Sequence, residues 1–286
     1  MLLRQSWLCL LLGLISCDDV LLRSTPETIP IPRVTQSYVA VFLSPNSPTV
    51  DVLLTRITSA AGEGYESDAL GIPDATVTIL REDGKILSVP YRNGIRYQVL
   101  NNGFVQIGRH YKLLVKLPGG TQLEGSCTIP IKNIDAGQIK VNDLGDNRLR
   151  VSWTDVTPEV DYYAILNGSM QASRRDTTYA SIDPLFVLTD VGNDVSKRVY
   201  SPTLNKAFDL PDESSVVNFN NIILCRTDSA YFAYHKSVAD KEAARENPFA
   251  EPINLYSNIK GGYGILASYI GVRVVCKGER IVQVRE

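Results

Sequence analysis

The chain has 286 residues, 44% of them apolar and 21% charged, with 29 basic against 31 acidic side chains and a formal net charge of -2. That length and apolar content support one large or two ordinary domains with buried cores, and the near balance of charge excludes a broad basic field for nucleic acid. With 2 histidines and 5 cysteines, little material is available for metal or thiol chemistry.

The amino terminus carries the most specific signal. Arg4 precedes an apolar run from Trp7 to Ile15, and Ser16 and Cys17 follow directly. The run is far short of the roughly 20 apolar residues that cross a bilayer, so it reads as a secretory signal peptide. Leu14, Ile15, Ser16 and Cys17 resemble the lipobox of bacterial lipoproteins, in which the cysteine thiol receives diacylglycerol before the leader is cut away. The resemblance implies that residues 1–16 leave and that Cys17 becomes a lipidated first residue. Several acyl chains, each gaining about 0.8 kcal/mol per buried CH₂, then anchor the protein without a transmembrane helix. An ordinary signal peptide with a chance cysteine is the plainer alternative. Asp18 and Asp19 resemble the acidic export tag of surface-displayed lipoproteins in the Bacteroidota, which implies an outward-facing protein; a soluble charged tether would look the same. Residues 17–36, with Pro26, Pro30 and Pro32, lack apolar periodicity and read as a lipidated tether.

From residue 37 the chain reads as strands, in keeping with its supply of Val, Ile, Thr and Tyr. Ser37–Leu43 and Val50–Ile57 flank the turn cluster from Ser44 to Pro48, and Ala75–Leu80 alternates in period two before a turn at Asp83 and Gly84. Ile86–Val89, Ile95–Leu100, Tyr111–Leu117 and Gln122–Ile129 continue the pattern, with turns at Asn101–Gly103 and Pro118–Gly120. Short strands at this spacing predict an N-terminal β-sandwich over 37–133, of immunoglobulin or transthyretin type.

Residues 134–286 predict a second sandwich. Leu149, Val151 and Trp153 share one face of a strand, and Val160–Leu166 follows with Tyr163 and Ile165 inward. The pattern resembles consecutive strands of a fibronectin type III domain, with Trp153 as a core residue. Asp143, Asp146 and Asn147 are residue types that serve either a calcium site or a hairpin turn, and the turn is preferred. Residues 168–215 show few clean periods. Val216–Cys225 is strand-like, and one amphipathic helix is predicted near 229–245, capped by Asp228 or Ser229 and stopped at Pro248. Gly261, Gly262 and Gly264 suit a bulge or turn where another backbone comes close.

Removing Cys9 with the leader and lipidating Cys17 leaves Cys127, Cys225 and Cys276. One disulfide is then allowed, with Cys225 and Cys276 the preferred pair, or three buried thiols. No metal site or cofactor is implied. No Gly-x-Ser-x-Gly, His-Glu-x-x-His or Cys-His constellation is present, and His110 and His235 stand apart.

Near the carboxy terminus, Asn247–Asn254 and the run Tyr256-Ser-Asn-Ile-Lys-Gly-Gly-Tyr-Gly-Ile-Leu-Ala-Ser-Tyr269 resemble the ending of a Bacteroidota lipoprotein family, domain-of-unknown-function family 4249. The strands at Asp74–Leu80 and Tyr111–Val115 and the close at Ile129-Pro130 are similar to that family as well. The resemblance implies an outer-membrane, cell-surface lipoprotein without established activity, in the company of TonB-dependent receptors. The expectation is a non-enzymatic accessory or interaction protein, held to the membrane by lipid and without nucleic acid. A glycan- or peptide-binding module, using aromatics such as Tyr65, Tyr91 or Tyr256, and a hydrolase are the other two readings.

Overall fold

In β2, Val50, Val52 and Leu54 are buried while their neighbours are half open, the period of a strand with one face against a core. Similar alternation runs through most of the chain. The structure, a computed structural model, describes residues 36–57, 70–146, 148–154, 161–172, 177–181, 186–189, 199–200, 203–205, 217–245, 251, 253–277 and 280–285. The lipobox Leu14–Cys17, the acidic pair Asp18 and Asp19, Tyr65 and Asn147 lie outside the described residues.

In chain order the strands are β1 (Gln36–Leu43), β2 (Thr49–Ile57), β3 (Thr76–Arg81), β4 (Ile86–Ser88), β5 (Tyr91–Asn93), β6 (Arg96–Leu100), β7 (His110–Lys116) and β8 (Gln122–Thr128). Then come β9 (Lys140–Gly145), β10 (Arg148–Thr154), β11 (Tyr162–Ala172), β12 (Thr177–Ser181), β13 (Phe186–Thr189), β14 (Val199–Tyr200), β15 (Thr203–Asn205) and β16 (Val217–Thr227). Helix α1 (Ser229–Arg245), β17 (Tyr263–Lys277) and β18 (Arg280–Arg285) complete the fold. The expected all-β sandwich class is what the structure shows, and α1 occupies the span predicted for the helix. No helix among the described residues is long and apolar enough to cross a membrane.

One ten-stranded sheet, in the order β12-β11-β16-β17-β1-β2-β6-β5 with β13 on β11 and β18 on β17, is the backbone of the molecule. Two four-stranded sheets pack on one of its faces. The first, β4-β3-β7-β8, brings Ile79, Leu113 and Leu123 against Val41, Val52 and Leu266. The second, made of β9, β10, β14 and β15, brings Leu149, Val151 and Trp153 against Tyr163, Leu224 and Val274. Trp153 meets Tyr163 edge to face at 5.3 Å, the core role expected of it. Along β17, Leu266 enters the first core and Val272, Val274 and Cys276 the second, all on the same side by the two-residue period. Ile265 and Ala267 point to the opposite side, where Ala230 and Tyr231 of α1 cover them.

β17 therefore belongs to both sandwiches. Its first part runs parallel to β1, from Tyr38 opposite Tyr263 to Leu43 opposite Ser268. A division between residues 133 and 134 leaves the first core without Ile259 and Leu266.

The preferred pairing of Cys225 with Cys276 is corrected by the structure, in which Cys127, Cys225 and Cys276 are free and buried. Cys225 lies opposite Gly271 and Cys276 opposite Asn220, five positions along β17 and hence about 16 Å away. They also face different cores, Cys225 towards α1 and Cys276 towards Trp153, whereas a disulfide needs Cα atoms within about 7 Å. Burial pushes the Cys225 thiol up to about 12 and the Cys276 thiol up to about 11. Native protein is expected to resist iodoacetamide at all three thiols and to take up three labels once unfolded. Two labels fewer under non-reducing unfolding would restore the disulfide.

Candidate functional site

The segment before β17 spends its polar residues on joining sheets. Asn258 accepts the Leu266 amide at 2.9 Å and donates to the Leu266 carbonyl at 2.8 Å, while Lys260 and Glu124 exchange backbone hydrogen bonds at 2.7 and 3.0 Å. Ser257 Oγ accepts the Gly264 amide at 3.0 Å. The glycines expected to admit a close backbone do so. A Cβ on Gly261 would lie 2.0 Å from the Gln122 carbonyl oxygen, and one on Gly264 would lie 1.8 Å from that of Val39.

Where β8, β17 and α1 meet, Asp228 caps the helix, accepting the Tyr231 amide at 2.8 Å. Its other oxygen lies 2.9 Å from the buried Ser268 hydroxyl, which is also 2.8 Å from the Thr128 carbonyl. Ser268 has one hydroxyl proton for two acceptors. A proton on Asp228 completes the chain, Asp228 donating to Ser268 and Ser268 to Thr128. Burial pushes the Asp228 carboxyl up to about 6, against the lowering pull of the Tyr231 amide and the Ser268 hydroxyl. Cys127, beside this cluster, has its thiol raised by burial first and by the Asp228 charge second.

On the helix side of the sheet, His235 stacks on Phe42 at 5.4 Å and lies 4.4 Å from the Tyr231 ring, and Tyr234 shares a 2.7 Å hydrogen bond with Tyr38. Burial lowers the imidazole to about 4. These two shifts act in opposite directions. Between about pH 4 and 6 the folded state keeps a proton on Asp228 that the unfolded chain releases, so this group's contribution falls as pH rises. Between about pH 4 and 6.5 the unfolded chain binds a proton that folded His235 refuses, so that contribution rises with pH. Asp228→Asn, which keeps the cap, is expected to lose urea resistance between about pH 7 and 5, whereas His235→Phe gains it over the same range. Identical pH slopes for both variants and the parent protein would defeat this assignment.

A surface cleft of about 410 Å³ opens where β1 ends and β17 continues into the second core. Ser44, Asn46, Ser47 and Pro48 of the β1–β2 turn form one wall; Ile223, Tyr269, Gly271 and Arg273 form the other. Asn101 holds the turn in place by donating to the Ser47 and Ser44 carbonyls at 2.9 and 3.3 Å and accepting the Val105 amide at 2.8 Å. Asn46 Oδ1 accepts the Gly271 amide at 3.4 Å. A ring face, hydroxyls, an amide and a guanidinium in one recess of this volume suit a small polar ligand. No sequence argument singled the cleft out, because its walls lie at least 175 residues apart in the chain; only the turn signal at Ser44–Pro48 was legible.

Of the aromatics expected to form a stacking platform, the two described ones lie on different elements: Tyr91, on β5, packs edge to face on Tyr97 at 5.4 Å, whereas Tyr256 donates its amide to Ser237 Oγ of α1 at 2.9 Å. His110 is exposed and bonded to Thr128 Oγ1 at 2.9 Å, on the other face from His235. Asp143 accepts the Gly145 amide at 2.8 Å in the β9–β10 hairpin, as a turn residue does. Among the described residues no group of three His, Cys, Asp or Glu side chains is placed to hold a metal.

A family model described as a domain of unknown function, DUF4249, matches residues 26–270. The chain belongs to this family. The DUF4249 match ends inside β17, so it takes in the glycine-rich joint and the parallel β1–β17 pairing that unites the sheet. Among curated proteins nothing matches the chain. Solved structures with similarity include a two-domain fibronectin type III segment of chicken tenascin, at 16% identity over 68% of this chain and 91% of that one, with a TM-score of 0.20. A cytokine receptor complex matches at 10% identity over 68% of this chain and 85% of that one, with a TM-score of 0.24.

Proposed function

We propose that this DUF4249 protein is a Bacteroidota lipoprotein, anchored in the outer membrane by lipid on Cys17 and displayed at the cell surface as a non-enzymatic accessory of a TonB-dependent receptor system. The observation that carries the reading is the apolar run Trp7–Ile15 followed at once by Ser16 and Cys17. The side chains best suited to chemistry have structural duties: His235 packs among rings, the thiols lie buried and protonated, and Asp228 caps α1. An extended sheet with covered cores fits a scaffold for neighbouring proteins. The mass of the mature amino terminus tests the anchor, with a diacylglyceryl cysteine at position 17 expected and an unmodified thiol refuting it. Co-purification of a TonB-dependent barrel from detergent-solubilised membrane at native expression tests the partner, and its consistent absence removes the accessory role.

The cleft between Ser44 and Arg273 favours a second reading, capture of a glycan or peptide. A glycan and peptide array should then give signals that Arg273→Gln abolishes; uniform blanks count against it.

A further inference from the structure

We infer that the cleft is a gap in the ten-stranded sheet, between the end of β1 and the end of β18, which takes an extended peptide as an inserted strand bonded to β17 at Tyr269 and Gly271. The inference rests on the second reading above, narrows its ligand from glycan or peptide to peptide, and states how that peptide is held.

Along one flank β17 changes neighbour. β1 pairs with it in parallel from Tyr263 to Ser268, and β18 takes over in antiparallel register from Arg273. Residues 269–272 between them have β16 on the opposite flank, and among the described residues no strand lies along this one. The stretch is about 13 Å long. The Asp228 amide donates to the Ser268 carbonyl at 3.1 Å on the β16 side, so even-numbered residues of β17 turn their main-chain groups to β16 and odd-numbered ones to the other flank. In the parallel register the rung after Leu43 would run from residue 45 to the Tyr269 carbonyl. Residue 45 is proline, which has no N–H to donate, and β1 stops.

Three main-chain groups of β17 therefore face the gap: the Tyr269 carbonyl and the Gly271 amide and carbonyl. Among the described residues only Asn46 answers them, its Oδ1 accepting the Gly271 amide at 3.4 Å, at the long limit of a hydrogen bond. Asn46 stands where the carbonyl of a neighbouring strand would be. An acceptor, a donor and an acceptor spread over two residues of strand match a peptide backbone, the usual basis on which sheet edges take up peptides. Side chains add selectivity. Arg273 and Ile223 are opposite each other and share the face on which position 271 has no side chain, so the cleft floor between Tyr269 and Arg273 is bare main chain. A ligand side chain opposite Gly271 covers that floor against Ile223 and the Tyr269 ring, which favours an aromatic or branched apolar residue. The positive charge of Arg273 favours an acid two positions away, on the same face of the ligand.

The test titrates full-length protein with fluorescein-labelled peptides Thr-Glu-Thr-X-Thr-Glu-Thr, in which X is Phe, Tyr, Leu or Ile. The tightest binder is remade with one N-methyl group, either on the amide of X or on that of the following Thr. Successive amides of a strand point to opposite sides, so one methyl should weaken binding by about tenfold or more and the other by less than about threefold. Which of the two is sensitive reports the direction of the inserted strand. Hydrogen exchange of the Gly271 amide, followed by NMR, should slow by about tenfold or more at saturating peptide. Equal sensitivity to both methyl groups, or to neither, overturns strand insertion, as does unchanged exchange at Gly271; binding that Arg273→Gln abolishes would then keep the cleft as a site with a different pose. If these peptides fail to bind while glycans on the array do, the inference falls and the second reading survives as glycan capture. Blanks from peptides and glycans alike strike both.

Discussion

Gly264→Ala is expected to abolish stable folding. The added Cβ would sit 1.8 Å from the Val39 carbonyl oxygen and 2.7 Å from its carbon, so the obstacle is main chain and cannot rotate aside. Gly264 also holds φ at +131°, a region closed to side chains. Relief requires β17 to withdraw from β1, breaking the pairing that joins the two halves of the sheet. A cost above about 3 kcal/mol follows, a large part of the roughly 5–15 kcal/mol by which domains are stable. Gly84→Ala is the matched control. It has a positive φ of +85° but nothing within 4 Å of its Cβ, so only backbone strain of about 1–2 kcal/mol applies. Equilibrium urea unfolding should show a small shift for Gly84→Ala and no folded baseline for Gly264→Ala. Similar midpoints for the two would mean that the close approach is not what the position requires.

Arg226→Met is the second severe change. Arg226 and Asp161 are 6% and 5% exposed, and the guanidinium donates from both Nε, at 2.8 Å, and Nη2 to one Asp161 oxygen. Tyr163 reaches the other oxygen at 3.4 Å. Removing the cation strands a buried carboxylate, which typically costs about 3–5 kcal/mol, whereas exchanging both partners for apolar residues is far milder. Asp161→Leu combined with Arg226→Met should therefore unfold at higher urea than Arg226→Met alone. A double variant no better than the single one would show that the ion pair contributes net stability of its own.

Local elements were legible because local rules set them. β-favouring residues marked Val50–Ile57, period two marked Ala75–Leu80, turn chemistry placed the Ser44–Pro48 link, and Asp228 with Pro248 bounded α1. β17 was the element the pattern hid. Its burial on both sides from Gly264 to Ser268 erases alternation, so only the bulge or turn at Gly261, Gly262 and Gly264 was legible there. The parallel pairing with β1 links residues more than 220 positions apart, beyond any local signal, and with it went the shared sheet and both walls of the cleft. The unpaired fate of Cys225 and Cys276 was equally invisible: both sit at strand ends in sequence, yet register and face, which only the assembled sheet defines, separate them.

The parallel contact of β1 with β17 has a mechanical consequence. A tug on the chain at Gln36 along the strand axis does not peel β1 away one bond at a time. It loads, in shear and together, the rungs from Tyr38 to Leu43 on one flank and from Gln36 to Val41 on the other. Were the chain held by the lipid anchor proposed above, a pull on the body of the protein would be met first at β1, by these rungs acting together.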